Sequence, residues 1–140
     1  MNSMHVARFT VAYWCVLMAV LLPIGCAWLA KSGSFGKPRR DGGFDNHNPR
    51  EWLARQSDWR ARANAAQANS FEALPFFIGA VIIAHSLGAG QTRLDLLAML
   101  WVFLRLFYIL MYVGDMPRAR SAVWSAAFLV NIAILLIGYR

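Results

Sequence analysis

Long apolar runs separated by short polar stretches dominate the chain. Phe9–Ala30 carries no charge. Ala73–Gly90 is a second uncharged run, preceded by the weakly polar stretch Ala63–Phe71. Leu94–Gly114 is a third, interrupted by Asp95 and Arg105, and Ser121–Gly138 is a fourth. A bilayer core of about 30 Å needs ~20 such residues in a helix. The runs therefore predict membrane-spanning helices over about 8–30, 59–88, 93–114 and 119–138. The last two connections are short, which makes neighbouring helices antiparallel. The expected fold class is an all-α membrane protein, a four-transmembrane-helix antiparallel bundle, with residues 1–140 forming one domain.

The first run is longer than the ~7–15 apolar residues of a signal peptide. Pro23 and Trp28 also fit a cleavage region poorly, so a retained helix is expected. Pro23 and Pro75 each remove a backbone donor and predict kinks, which neighbouring helices can accommodate in a membrane. The long connection, about 31–58, is rich in Gly, Pro and basic residues and reads as a loop, ordered or mobile. A short helix is expected there from Pro49 to Arg55, with Asn48 as its cap.

Composition agrees with the pattern. Hydrophobic residues make up 59% and charged residues 15%, against about 45–50% and about 25% in soluble domains. The net charge is nevertheless +7. Its placement explains it. With four spans, one side of the membrane holds Lys31, Lys37, Arg39, Arg40, Arg50, Arg55, Arg60, Arg62, Arg118 and Arg120. The other holds Arg8, Arg93 and Arg140. This is a strong positive-inside bias. It predicts a cytoplasmic long loop, both termini outside the cytoplasm, and contact with membrane lipid. No nucleic acid is needed to account for the basic balance.

Some polar residues fall where lipid is expected. Arg62, Asn69 and Glu72 share one face of the second helix, and Arg105, Tyr108 and Tyr112 share one face of the third. Small residues between Arg62 and Asn69 allow close helix approach. Helical rise places Glu72 ~10 Å and Arg105 ~13 Å from the same membrane edge. A Glu72–Arg105 ion pair is the expected solution to two charges at that depth. Arg120 and Ser121 open the fourth helix at this rim, with Arg118 nearby. Two readings follow. One is a structural ion pair with Tyr hydroxyls around it. The other is a basic, polar cup for an anionic ligand with several carboxylates, which Arg forks bind well.

The remaining polar residues carry weaker signals. Asn131 reads as a helix–helix hydrogen-bond donor, and Asp95 as an interfacial residue. His85 is the sole His in an apolar run, while His5 and His47 lie in terminal or loop sequence. This gives neither the paired axial ligands of a transmembrane haem nor a zinc spacing, so no metal is expected. Cys15 and Cys26 are ~16 Å apart by helical rise, too far for a disulfide. They read as lipid-facing or core residues. The tryptophans, including Trp14, Trp28, Trp52 and Trp59, read as interfacial anchors.

The stretch from Arg62 through Asn69-Ser-Phe-Glu72-Ala-Leu-Pro75-Phe-Phe resembles the MAPEG superfamily, the membrane-associated proteins of eicosanoid and glutathione metabolism. Arg105-x-x-Tyr108-x-x-x-Tyr112 and Pro117-Arg-Ala-Arg120-Ser121 extend the resemblance, and Asp45-Asn-His-Asn-Pro-Arg50 is similar to bacterial members. The resemblance implies a homotrimer, here in a bacterial inner membrane, with glutathione as co-substrate between subunits near the cytoplasmic face. By matched position, Asn69, Glu72, Arg105, Tyr108, Tyr112 and Ser121 would bind glutathione. Arg120 would be the catalytic residue that activates its thiol, with Arg118 as the alternative. Glutathione-using eukaryotic members carry an Arg four residues before the Asn. Ala65 stands there in this chain, and Arg62, one turn earlier, is the substitute.

The implied function is a glutathione-dependent transferase or peroxidase acting on a small lipophilic electrophile. The alternative is a non-catalytic lipid-binding or scaffold protein on the same fold. A proton-coupled exporter is disfavoured, because no carboxylate lies between Phe9 and Ala30.

Overall fold

The computed structural model describes residues 8–139, so His5 and Arg140 lie outside the described residues. It is all-helical among them. The long helices are α1 (Val11–Lys31), α3 (Asp58–Ser86), α4 (Gln91–Val113) and α5 (Pro117–Leu136), with a short α2 (Pro49–Ala54) in the long connection. Each long helix is long and apolar enough to cross a membrane. Both α1 and α5 pack on α3 and α4, which also pack on each other.

The helix ends have identifiable causes. Thr10 caps α1, its hydroxyl accepting from the Tyr13 amide at 3.3 Å. A second α1 amide, Ala12 N, donates to Asp95 Oδ1 at 2.9 Å. Asp95 also accepts from Gln91 Nε2 at 2.7 Å. The carboxylate expected at the interface thus caps a neighbouring helix. Asp95→Ala should lower bundle stability by about 1 kcal/mol, read as an earlier thermal unfolding midpoint of the solubilised protein.

Helices α3 and α4 both end in Schellman motifs. Ala89 N bonds to Ala84 O (3.0 Å) and Gly88 N to His85 O (3.0 Å). Met116 N bonds to Met111 O (2.9 Å) and Asp115 N to Tyr112 O (3.2 Å). Gly88 supplies the left-handed residue of the first, at φ 68°. Asp115 supplies that of the second at φ 59°, a conformation Asp tolerates better than most residues. Pro117 then takes the first turn of α5, two residues before the expected start. In α2, Asn48 occupies the cap position, but its side chain makes no cap bond.

Packing is inverted relative to a water-soluble bundle. The helix contacts are built on small residues: Ala12, Ala19, Ala30, Ala63, Ala66, Ala80, Ala84, Ala98 and Ala127 are buried. Larger side chains such as Trp14, Trp28, Phe103 and Leu129 point outward. Small residues let backbones approach closely, and lipid covers the rest. Both cysteines are free and buried, so they are core residues. Phe77 stacks on Trp101 at 3.9 Å between α3 and α4. Tyr13 stacks on His85 at 4.3 Å, and His85 also pairs with Thr10 Oγ1 (3.0 Å) and donates from Nδ1 to the Val81 carbonyl (2.9 Å). His85 is thus a joint between α1 and α3.

The long connection is folded around Phe44. Its ring meets Phe35 and Trp52 edge-on and lies under Lys31 Nζ at 4.6 Å. Gly43 is required there, since a Cβ would lie 1.9 Å from the Lys37 carbonyl oxygen. The His47 amide donates to Asp45 Oδ1 at 3.0 Å, and Arg39 lies 3.2 Å from the same carboxylate. Together they hold the Asp45 carboxyl below its ordinary value. Its contribution is therefore complete above the ordinary carboxylate pKa and is lost as pH falls through the lowered one.

Candidate functional site

The polar residues of α3, α4 and α5 meet in one groove. Helices α3 and α5 form its walls, and α4 forms its floor. At the end nearest the α4–α5 turn is an outer hollow of about 290 Å³. It is lined by Asn69, Tyr108, Tyr112, Arg120, Ser121, Trp124 and Ser125. Deeper along the groove is an inner hollow of about 220 Å³, lined by Asn69, Glu72, Ala73, Phe76, Trp101, Arg105, Trp124, Phe128 and Asn131. Asn69 and Trp124 are common to both.

A ladder of cations and rings runs along the floor. The Arg105 guanidinium lies 4.2 Å from the Tyr108 ring centre, and the Tyr108 and Tyr112 rings meet edge-on at 5.7 Å. The Arg120 guanidinium lies 4.3 Å from the Tyr112 ring. Ring faces attract cations, more so when water is excluded. The ladder follows from helical spacing, with Arg105, Tyr108 and Tyr112 on one face of α4. The Schellman turn then brings Arg120 back over Tyr112.

The expected direct Glu72–Arg105 ion pair does not form. Arg105 is 2% exposed and donates to Asn69 Oδ1 at 2.8 Å and to Ser70 Oγ at 3.4 Å. Asn69 in turn donates to Glu72 Oε2 at 3.5 Å. Asn69 stands between the two charges, so Glu72 stays exposed at the mouth of the inner hollow. Rotation about α3, which depth along the helix axis does not report, decides this.

Seven of the eight expected site residues thus line one of the two hollows. Arg62 does not. Its Nε donates to the Val113 carbonyl at 2.9 Å, one of the carbonyls left open where α4 ends. Arg118 is exposed and lines neither hollow, while Arg120 does. No acidic side chain among the described residues pairs with Arg120.

Sequence reasoning missed Trp124, Ser125, Phe128 and Asn131 as lining residues. Asn131 is a correction: among the described residues it makes no helix–helix hydrogen bond and its Oδ1 has no partner, and it lines the inner hollow. The signal was available. Ser121, Trp124, Ser125, Phe128 and Asn131 recur at helical steps on one face of α5.

The MAPEG family model matches residues 11–139, nearly the whole chain and every helix of this bundle. The chain belongs to the MAPEG family. No curated protein and no solved structure matches it significantly. MAPEG proteins are four-helix integral membrane proteins, and the family includes glutathione-dependent transferases and peroxidases. Membership fixes the architecture and the membrane setting and leaves activity and substrate to the site itself.

Proposed function

We propose that this MAPEG protein is a glutathione-dependent membrane transferase or peroxidase acting on a lipophilic electrophile, with Arg120 stabilising the thiolate. The observation that carries the reading is Arg120 itself. It is a guanidinium without an acidic partner among the described residues, held on Tyr112 inside a polar hollow. Arg39, Arg40 and Arg55 each have a carboxylate beside them, whereas this guanidinium has none among the described residues and lines the hollow.

The groups present suit the tripeptide. Glutathione has two carboxylates, one ammonium and a thiol. Asn69, Ser121, Ser125 and the Tyr hydroxyls offer hydrogen bonds, and exposed Glu72 complements the ammonium. A cation beside the thiol lowers its pKa from ~8.5 and raises the thiolate fraction at neutral pH. The thiolate then forms a bond to carbon of the electrophile and expels the leaving group. Toward a hydroperoxide, two thiols become a disulfide as the hydroperoxide becomes an alcohol and water. Exposed Trp124 and Phe128 line the approach from the membrane.

A homotrimer fits the same picture. A single subunit leaves Glu72 and the groove open on its flank, and a carboxylate facing lipid is costly. A neighbouring copy would cover both. The basic long loop supports a cytoplasmic setting for the α4–α5 turn, and hence for the outer hollow, in the proposed bacterial inner membrane.

The test is conjugation of glutathione to an aryl halide by the purified, solubilised protein. Turnover above the uncatalysed rate is expected. A rate equal to the uncatalysed one, with lipid still bound, contradicts the proposal and favours a non-catalytic lipid-binding protein on this fold.

A further inference from the structure

The two short turns of the bundle share a pattern but not their residues. Both close as Schellman motifs. The α3–α4 turn has Gly88 at its left-handed position, at φ 68°, which glycine adopts freely. The α4–α5 turn has Asp115 there, at φ 59°. A residue with a side chain is strained in that conformation, and such strain persists only where the surroundings hold it. The weaker of the two turns is the one that carries Arg120.

Part of what holds it comes from another helix. Within the turn, Gly114 N donates to the Leu110 carbonyl, Met116 N to that of Met111 and Asp115 N to that of Tyr112. The Val113 carbonyl is next in line. Its helical donor would be the residue four positions on, and that residue is Pro117, which has no N–H. Arg62 Nε fills the gap from α3 at 2.9 Å. Val113 packs on the cluster of Ala30, Leu53 and Ala63, so water is a poor substitute there. A cation at the C-terminal end of α4 also complements the helix dipole. Arg60, two residues earlier, serves α1 in the same way, donating to the Ser32 carbonyl at 2.9 Å.

Arg120 depends on this turn at both of its contacts. Its amide donates to Met116 O at 2.9 Å, and its guanidinium lies 4.3 Å from the Tyr112 ring. Tyr112 and Met116 stand on either side of Asp115. A turn that relaxes at Asp115 shifts the start of α5 against Tyr112 and carries the guanidinium away from the outer hollow.

We propose that Arg62 is a positioning residue: by capping the Val113 carbonyl it holds the α4–α5 turn in its left-handed form and so seats Arg120 in the outer hollow. This rests on the transferase or peroxidase reading only for the reaction that Arg120 serves. The seat itself is a property of the ligand-free protein.

Two substitutions separate a donor from a charge. Arg62→Met removes both. Arg62→Gln is neutral, but its amide nitrogen stands at the same place along the side chain as Arg Nε, so it still donates to Val113. Amide hydrogen exchange of the solubilised protein, without glutathione, is the first readout. In Arg62→Met the amides of Asp115, Met116 and Arg120 should exchange about tenfold faster or more, the effect of losing one hydrogen bond to a charged group. Gly88 and Ala89 should keep their wild-type rates. Arg62→Gln should restore most of the protection. The second readout is the rate of glutathione conjugation across pH. Arg62→Met should lose rate at pH 7 and regain part of it toward pH 9, because a displaced Arg120 leaves the thiol nearer its ordinary ~8.5. Arg62→Gln should relieve that deficit. Unchanged exchange at the turn in Arg62→Met would overturn the proposal. So would a deficit that is equal at every pH or that Arg62→Gln leaves in place, the behaviour of a charge that contacts glutathione itself. A wild type without turnover contradicts the proposed function instead, and exchange alone then decides what seats Arg120.

Discussion

Replacing Arg120 with alanine should lower glutathione turnover by about a hundredfold or more at neutral pH while the helix bundle stays folded. Removing one preorganised donor or charge at a developing anion costs about 10²–10³ in rate in well-studied sites. Arg120 is a suitable subject because its structural role is small. It has no carboxylate partner among the described residues, and its contact within the protein is the face of Tyr112. The pH profile gives a second readout. With the cation gone, the bound thiol returns toward ~8.5, so the deficit should shrink as pH rises from 7 toward 9. Arg120→Lys keeps the charge and should retain part of the rate. Steady-state conjugation rates across pH for the three proteins check this. A deficit independent of pH, with a lowered unfolding midpoint, would mean that Arg120 is structural.

The second large effect concerns Arg105. Asn69→Leu should destabilise the protein by about 1.5–3 kcal/mol, the range for a hydrogen bond to a charged group. The guanidinium is then left in the bundle with Ser70 at 3.4 Å and the faces of Tyr108 and Trp101. The double variant Asn69→Leu/Arg105→Leu should recover part of that loss, because no buried charge remains to be satisfied. Thermal unfolding of the two single variants and the double completes the cycle. Additive losses would show that the Arg105–Asn69 bond contributes nothing of its own.

Much of the fold is legible in the sequence because the bilayer imposes a length and a polarity on each span. Pro117 and Gly88 mark helix boundaries for local reasons, one by its fixed φ and the other by its positive φ. Asp115 is harder to read, since it takes the left-handed position that glycine usually fills. The site is legible where residues share a helical face, as Arg105, Tyr108 and Tyr112 do. It is not legible where two helices compete for one partner. Depth along the axis paired Glu72 with Arg105, but rotation about α3 places Asn69 in between. Arg62 lies about two turns before Asn69 on the same face of α3. The open carbonyls at the end of α4 take it instead, a demand visible only once that end is located. The sequence supports a helix–helix donor at Asn131, because that is the usual fate of a lone amide in a membrane helix. Its unpaired oxygen becomes apparent only when its neighbours are in place.

The proposed activity depends on glutathione binding in the outer hollow around Arg120. Thermal unfolding of the solubilised protein with and without millimolar glutathione tests it most directly, because a ligand that binds the folded state raises the midpoint by mass action. A rise of several degrees is expected for glutathione, reduced in Arg120→Ala. An unchanged midpoint at saturating millimolar glutathione, in a protein that still unfolds cooperatively, would contradict it.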